Sequence, residues 1–330
     1  MAKITVLGAG GFGIALSILA YGNGHTVAMW TPFEQEADML KTNRTNEKLL
    51  KDIFIPQNID ITTDISVCKT DDLTIVAVPS YAVRQTAKKI KEVGGNSVVA
   101  CVAKGFEKGT MLRMSQVLEE ELPSRQIVAL TGPSHAEEVS RGVPTSIVAA
   151  SKDIAAAQTV QKILSNENMR LYTDTDVIGA ELGGALKNVI AVCVGFCNGL
   201  GLGDNTKAAL ITRGLAEMMR LGKKMGADPH TFAGLTGIGD LVVTCMSVHS
   251  RNNRFGTLVG SGMPVEQALK TVGTVEGYYA ADTARLLCEK YNVEMPIITE
   301  CCKVLYDGKS PAAVLKDLMN RPVKPEKDTY

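Results

Sequence analysis

Lys187 is the only cation in Glu181-Leu182-Gly183-Gly184-Ala185-Leu186-Lys187-Asn188-Val189-Ile190-Ala191-Val192. Apart from Glu181 at its start and Asn188 the stretch is apolar, and it is helical in pattern. Burial disfavours the charged form of an amine, which makes a lysine usable as a base near neutral pH. Gly183, Gly184 and Ala191 lie one turn away and are small, so the spacing predicts room for a ligand beside the amine. A snorkelling lysine at a helix edge is the plainer alternative. Gly237-Ile238-Gly239-Asp240 puts a carboxylate in a glycine turn. Ser250-Arg251-Asn252-Asn253-Arg254 brings a hydroxyl, two amides and two guanidiniums into one short run. That set suits a dianionic phosphate, because arginine forks onto it and hydroxyls and amides add directional bonds. A solvated polar loop has the same composition.

Two further segments follow apolar runs. Lys104 stands in Ala103-Lys104-Gly105, just past the run 98–102. In doubly wound sheets, ligands bind outside the carboxyl ends of the strands. The segment Thr131-Gly132-Pro133-Ser134-His135-Ala136 also follows such a run. Ser134 there either caps the next helix or sits where first-turn N–H groups face a substrate.

Gly8-Ala9-Gly10-Gly11-Phe12-Gly13 matches G-x-G-x-x-G, follows an apolar run from residue 3 and precedes a helical pattern. That context is what a dinucleotide-binding turn requires. Gly8 permits the tight turn, Gly10 lets the backbone approach a pyrophosphate, and Gly13 lets the helix pack close. The second strand of such a unit usually ends in an acid for the ribose hydroxyls. Thr31-Pro32-Phe33 occupies that place, with Glu34 beyond it and Arg44 the nearest arginine. Both NAD and NADP fit this pattern.

The elements that must position these residues fall into two regimes. Runs at 3–7, 26–30, 73–78, 97–102, 126–130 and 146–150 are nearly all apolar and alternate with helical patterns. Such strands build a parallel sheet covered on both faces. From residue 177 onward the pattern is helical, with predicted helices over 177–197, 205–225, 264–271, 277–290, 296–305 and 312–319. The division is placed at residues 1–183 and 184–330. The tail 321–330 is expected to fray.

Lys plus Arg and Asp plus Glu both total 35, so there is no basic excess of the kind that marks nucleic-acid binders. With 45% hydrophobic and 21% charged residues, the chain can bury a core. No uninterrupted apolar stretch is long enough for an integral membrane span, and no secretory leader is visible. The eight cysteines form no C-x-x-C pair and the four histidines no H-E-x-x-H. Reduced buried thiols in a cytoplasmic protein are expected, with no metal.

Taken together, the segments resemble the bacterial-type NAD(P)-dependent glycerol-3-phosphate dehydrogenases. The matching pieces are those quoted above together with Gly183 to Ile190, Ala209 to Glu217, Gly237 to Thr244, Ser250 to Gly256 and Val275-Glu276-Gly277, in family order. The resemblance implies an α/β architecture: an N-terminal Rossmann-type doubly wound sheet followed by an all-α C-terminal domain for substrate. It implies interconversion of sn-glycerol 3-phosphate and dihydroxyacetone phosphate, feeding phospholipid synthesis, and a homodimer. By the same resemblance Lys187 is the proton acceptor, with Lys104 and Asp240 also catalytic. Lys104, Gly132, Ser134, Lys187, Asp240, Ser250, Arg251 and Asn252 are substrate contacts. Gly8, Gly10, Gly11, Phe12, Gly13, Lys104, Ala136, Arg251, Val275 and Glu276 are cofactor contacts. Many members carry Ser at the position of Gly11 and His or Arg near Pro32. A β-hydroxyacid dehydrogenase of the same two-domain plan is the second reading, and a non-catalytic nucleotide sensor a third.

Overall fold

The apolar runs of the first half pair into one eight-stranded sheet. The computed structural model describes residues 1–323, 325 and 326. The chain opens β1 (Lys3–Leu7), α1 (Gly11–Gly22), β2 (Thr26–Trp30) and α2 (Glu34–Asn43). A small hairpin of β3 (Thr45–Asn46) and β4 (Leu50–Phe54) precedes β5 (Asp60–Thr62). Then come β6 (Leu73–Val76), α3 (Val83–Val93), β7 (Val98–Cys101), α4 (Met114–Glu121) and β8 (Ile127–Thr131). One turn of helix, α5 (Ala136–Val139), leads to β9 (Thr145–Ala150), α6 (Ile154–Leu164) and β10 (Met169–Asp174).

The strand order is β10-β9-β8-β7-β6-β1-β2-β5. The chain winds outward from β1 through β2 to β5, returns to β6 beside β1, and winds out the other way. The switch point therefore lies between β1 and β6, which is where such sheets hold ligands. Period-2 alternation divides the core. Ile4 and Val6 pack with Ile14, Leu16 and Val160 on one face, while Leu7 packs with Val83, Val99 and Met114 on the other.

Two strands, β9 and β10, depart from the all-parallel expectation. β9 runs antiparallel to β8, and β10 is parallel to β9. A parallel return needs a crossover of a dozen or more residues, usually a full helix. The β8–β9 connection contains only the single turn α5, so the chain folds straight back.

From Val177 the chain is helical: α7 (Val177–Gly199), α8 (Asp204–Met225), α9 (Pro229–Phe232), a π-type turn (Leu235–Gly239) and α10 (Asp240–Met246). There follow α11 (Arg251–Gly260), α12 (Val265–Val272), α13 (Glu276–Tyr291), α14 (Pro296–Asp307) and α15 (Pro311–Met319). α7 is long and apolar enough to cross a bilayer, yet 94% of its apolar window is buried inside the fold. It is the core helix of this unit, and α11 lies directly on it. A Cβ on Gly256 would stand 2.1 Å from the Val192 carbonyl oxygen, so only glycine allows that approach. The compact units are Met1–Glu107 with Leu112–Val177, and Lys108–Met111 with the described residues from Ile178 onward. The expected frayed tail lies partly outside the described residues.

Candidate active site

The glycine turn is built as the sequence predicts. Gly8 has φ +125° and its N–H donates to the Trp30 carbonyl at 2.8 Å, tying the turn to the end of β2. A Cβ there would meet the Ala77 oxygen at 2.6 Å. A Cβ on Gly13 would lie 2.0 Å from the Gly8 oxygen, so α1 could not pack this close with any other residue. Gly10, the N-cap of α1, is different: nothing lies within 4 Å of its missing Cβ. The first turn of α1 carries no acid. Open space over uncommitted N–H groups at a helix N-terminus fits a pyrophosphate. Gly11 faces Ala136, whose Cβ is 3.7 Å from the place of a Gly11 Cβ. Phe12 packs against the core beneath.

Lys104, Gly132 and Ser134 come together past the ends of β7 and β8. The Gly132 carbonyl accepts from Lys104 Nζ at 2.9 Å and from Ser134 Oγ at 3.0 Å. Ser134 does not cap α5. His135 is the N-cap residue and gives no side-chain cap, so the capping alternative for Ser134 is corrected.

The second group gathers in the helical unit. Lys187 of α7 is 5% exposed and donates to Asp240, the first residue of α10. It also donates to Thr244 Oγ1 at 2.7 Å. Asp240 and Thr244 are themselves buried. The snorkelling alternative therefore fails. The expected room beside Gly183 is also corrected: a Cβ there would stand 2.2 Å from the Thr236 carbonyl oxygen. Gly183 serves to bring α7 onto the π-type turn, and this contact delivers Asp240 to the amine.

The run 250–254 is the start of α11, not a loop. Ser250 is its N-cap and accepts from Asn253 N at 3.2 Å. Asn252 is buried and donates to Asn188 Oδ1 at 2.9 Å, while its own Oδ1 accepts from Gly277 N at 2.8 Å. One amide thus joins α7, α11 and the N-terminus of α13, where Val275 is the N-cap and Glu276 the first residue. Asn253 donates to the Cys245 carbonyl at 2.8 Å and is structural. Arg251 is exposed and makes no ion pair among the described residues. An exposed guanidinium on the first turn of a capped helix can take an anion.

Sequence reasoning missed Thr244 and Asn188. Thr244 stands four residues after Asp240, so both share a face of α10; that spacing was the available signal. A cavity of about 560 Å³ in the helical unit is lined by Cys193, Phe196, Leu210, Glu217, Ile297 and Leu315. It excludes Lys187 and Asp240, so it is not the site of this chemistry. All eight cysteines are buried, and no cluster of metal-ligating side chains occurs among the described residues.

Residues 3–157 match the family model for the NAD-dependent glycerol-3-phosphate dehydrogenase N-terminus, and residues 176–316 that for its C-terminus. The chain is 46% identical to a glycerol-3-phosphate dehydrogenase [NAD(P)+] of Fusobacterium nucleatum, over 99% of each chain. It is 48% identical to that of Desulfitobacterium hafniense, over 99% of this chain and 93% of the other. Among solved structures, the glycerol-3-phosphate dehydrogenase of Coxiella burnetii superposes with a TM-score of 0.93 at 32% identity. That match covers 97% of this chain and 99% of the other.

Proposed function

This chain belongs to the NAD-dependent glycerol-3-phosphate dehydrogenase family, and from that premise we propose that Lys187 moves the proton in its reaction. The protein is an NAD(P)-dependent oxidoreductase. The reaction is the interconversion of sn-glycerol 3-phosphate and dihydroxyacetone phosphate, which supplies glycerol 3-phosphate for phospholipid synthesis. The carrying observation is the buried Lys187 amine held by Asp240 and Thr244.

The dinucleotide, when bound, supplies or takes up the hydride. The residues of the chain do the rest. In the oxidising direction the neutral Lys187 amine accepts the substrate hydroxyl proton and becomes the ammonium paired with Asp240. In the reducing direction it returns a proton to the forming alkoxide. Asp240 and Thr244 fix the amine, so no reorganisation is needed as charge develops. Arg251 and the first turn of α11 after Ser250 hold the phosphate, with Asn252 keeping that turn beside Asn188. Lys104, Gly132 and Ser134 orient the three-carbon part. Gly8, Gly10, Gly11, Phe12, Gly13, Lys104, Ala136, Arg251, Val275 and Glu276 hold the dinucleotide. Residues 1–183 serve the cofactor and residues 184–330 the substrate, in a cytoplasmic homodimer.

The test is an initial-rate comparison of NADH oxidation with dihydroxyacetone phosphate and with 2-oxo and 3-oxo acids. Turnover confined to the phosphate ester supports the reading. Faster turnover of an oxo acid replaces it with a β-hydroxyacid dehydrogenase.

A further inference from the structure

The corner where β2 ends carries negative charge. Thr31 is buried and donates its hydroxyl to the Glu36 carboxylate of α2. Glu34 accepts from Thr63 Oγ1 at 2.9 Å across the sheet edge. Both acids lie in the first turn of α2, so the positive end of that helix is already compensated. The Gly8–Trp30 hydrogen bond places this corner beside the glycine turn. In this fold class the end of the second strand is where the adenosine ribose is read.

The residues joined there by hydrogen bonds or close contact are Gly8, 30–36, Thr62, Thr63, Ala77 and Val78, and none is a lysine or arginine. Arg44 and Lys89 are engaged elsewhere. Arg44 follows the far end of α2, about 15 Å along a helix of this length. Its guanidinium donates to the Ile59 carbonyl at 2.8 Å and the Pro56 carbonyl at 3.3 Å. Lys89 lies 5.3 Å over the Trp30 ring, which packs with α3 on the opposite face of the sheet from α1. Lys48 and Lys51 belong to the hairpin whose Leu49 and Leu50 lie near Gly11, and neither ammonium pairs with Glu34 or Glu36.

We propose that Glu36, pinned by Thr31, selects NAD(H) over NADP(H). A 2′-phosphate brings close to two negative charges at neutral pH. It would meet a fixed carboxylate with no guanidinium to fork onto it. A ribose 2′-hydroxyl instead finds a hydrogen-bond acceptor. This inference rests on the family reading, which puts a dinucleotide at the glycine turn.

Isothermal titration of the intact protein with NADH and with NADPH, at one ionic strength and without substrate, tests it directly. The wild type binds NADH more tightly by about tenfold or more, the size of one charge-assisted contact. Glu36→Gln keeps an acceptor for Thr31 but removes the charge, and shrinks the NADPH-to-NADH Kd ratio by roughly threefold or more. Phe33→Arg, at an exposed position, shrinks it independently and covers the case in which Glu36→Gln fails to fold. A purely structural role for Glu36 would weaken both ligands equally and leave the ratio fixed. Equal affinities in the wild type, or a ratio unmoved by both variants, overturn the inference while the family reading stands. Failure of both dinucleotides to bind overturns the inference and the family reading together.

Discussion

Lys187 and Asp240 form a buried ion pair, 5% and 1% exposed. One partner comes from the middle of α7 and the other from the first residue of α10. A buried pair of this kind gives little net stability, because desolvation offsets the attraction.

The pair can be separated from its fold contribution. Asp240→Leu leaves a buried ammonium uncompensated and costs about 3–5 kcal/mol. The double variant Lys187→Met/Asp240→Leu recovers much of that loss and remains inactive. Urea midpoints and NADH oxidation rates check the two halves. A double variant no more stable than Asp240→Leu contradicts the account of the pair.

Two glycines of the same turn behave oppositely. Gly13→Ala drives a Cβ against the Gly8 oxygen and lowers stability by about 1–3 kcal/mol or more. Gly10→Ala points into open space, so thermal stability is kept while dinucleotide binding weakens by about tenfold as N–H contacts to phosphate are lost. Melting curves with and without NADH distinguish them.

Arg251→Ala raises KM for dihydroxyacetone phosphate by an amount matching about 1.5–3 kcal/mol, the size of a charged hydrogen bond. Thermal stability is unaffected, since the side chain is exposed and bears no partner among the described residues. Steady-state kinetics at fixed NADH make the measurement. An unchanged KM removes Arg251 from the phosphate.

Glu217 gives the helical unit a pH dependence. Burial raises its carboxyl from the ordinary 4.5 to about 7, against the N–H groups of Ile297 and Ile298 that favour the anion. The folded state therefore binds the proton more tightly than the unfolded chain. The stabilisation is complete below the ordinary value and is lost as pH rises through about 7. The interval corresponds to roughly 3 kcal/mol. Urea titrations from about pH 5 to 8 show wild-type stability falling relative to Glu217→Gln across this window. Parallel profiles assign the slope to another group.

Much of this was legible in the residues. The switch from apolar strands to helical patterns near residue 177 marks the sheet and the helical unit, because burial on two faces and on one stripe write different periods. Gly8 and Gly13 announced their turn and packing tasks by position. The reversal of β9 was hidden, since an apolar strand reads the same in either direction. Gly183 was misjudged because a small residue admits a backbone as readily as a ligand, and sequence does not say which. Thr244 and the Asn188–Asn252 link join residues more than fifty positions apart, and only packing of α7, α10 and α11 reveals them.

The most direct test is the turnover of Lys187→Ala with dihydroxyacetone phosphate and saturating NADH, in protein shown to bind NADH as the wild type does. Loss of a general acid–base group predicts a fall of about 100-fold or more in kcat. Turnover within a few-fold of wild type contradicts a proton-transferring role for Lys187.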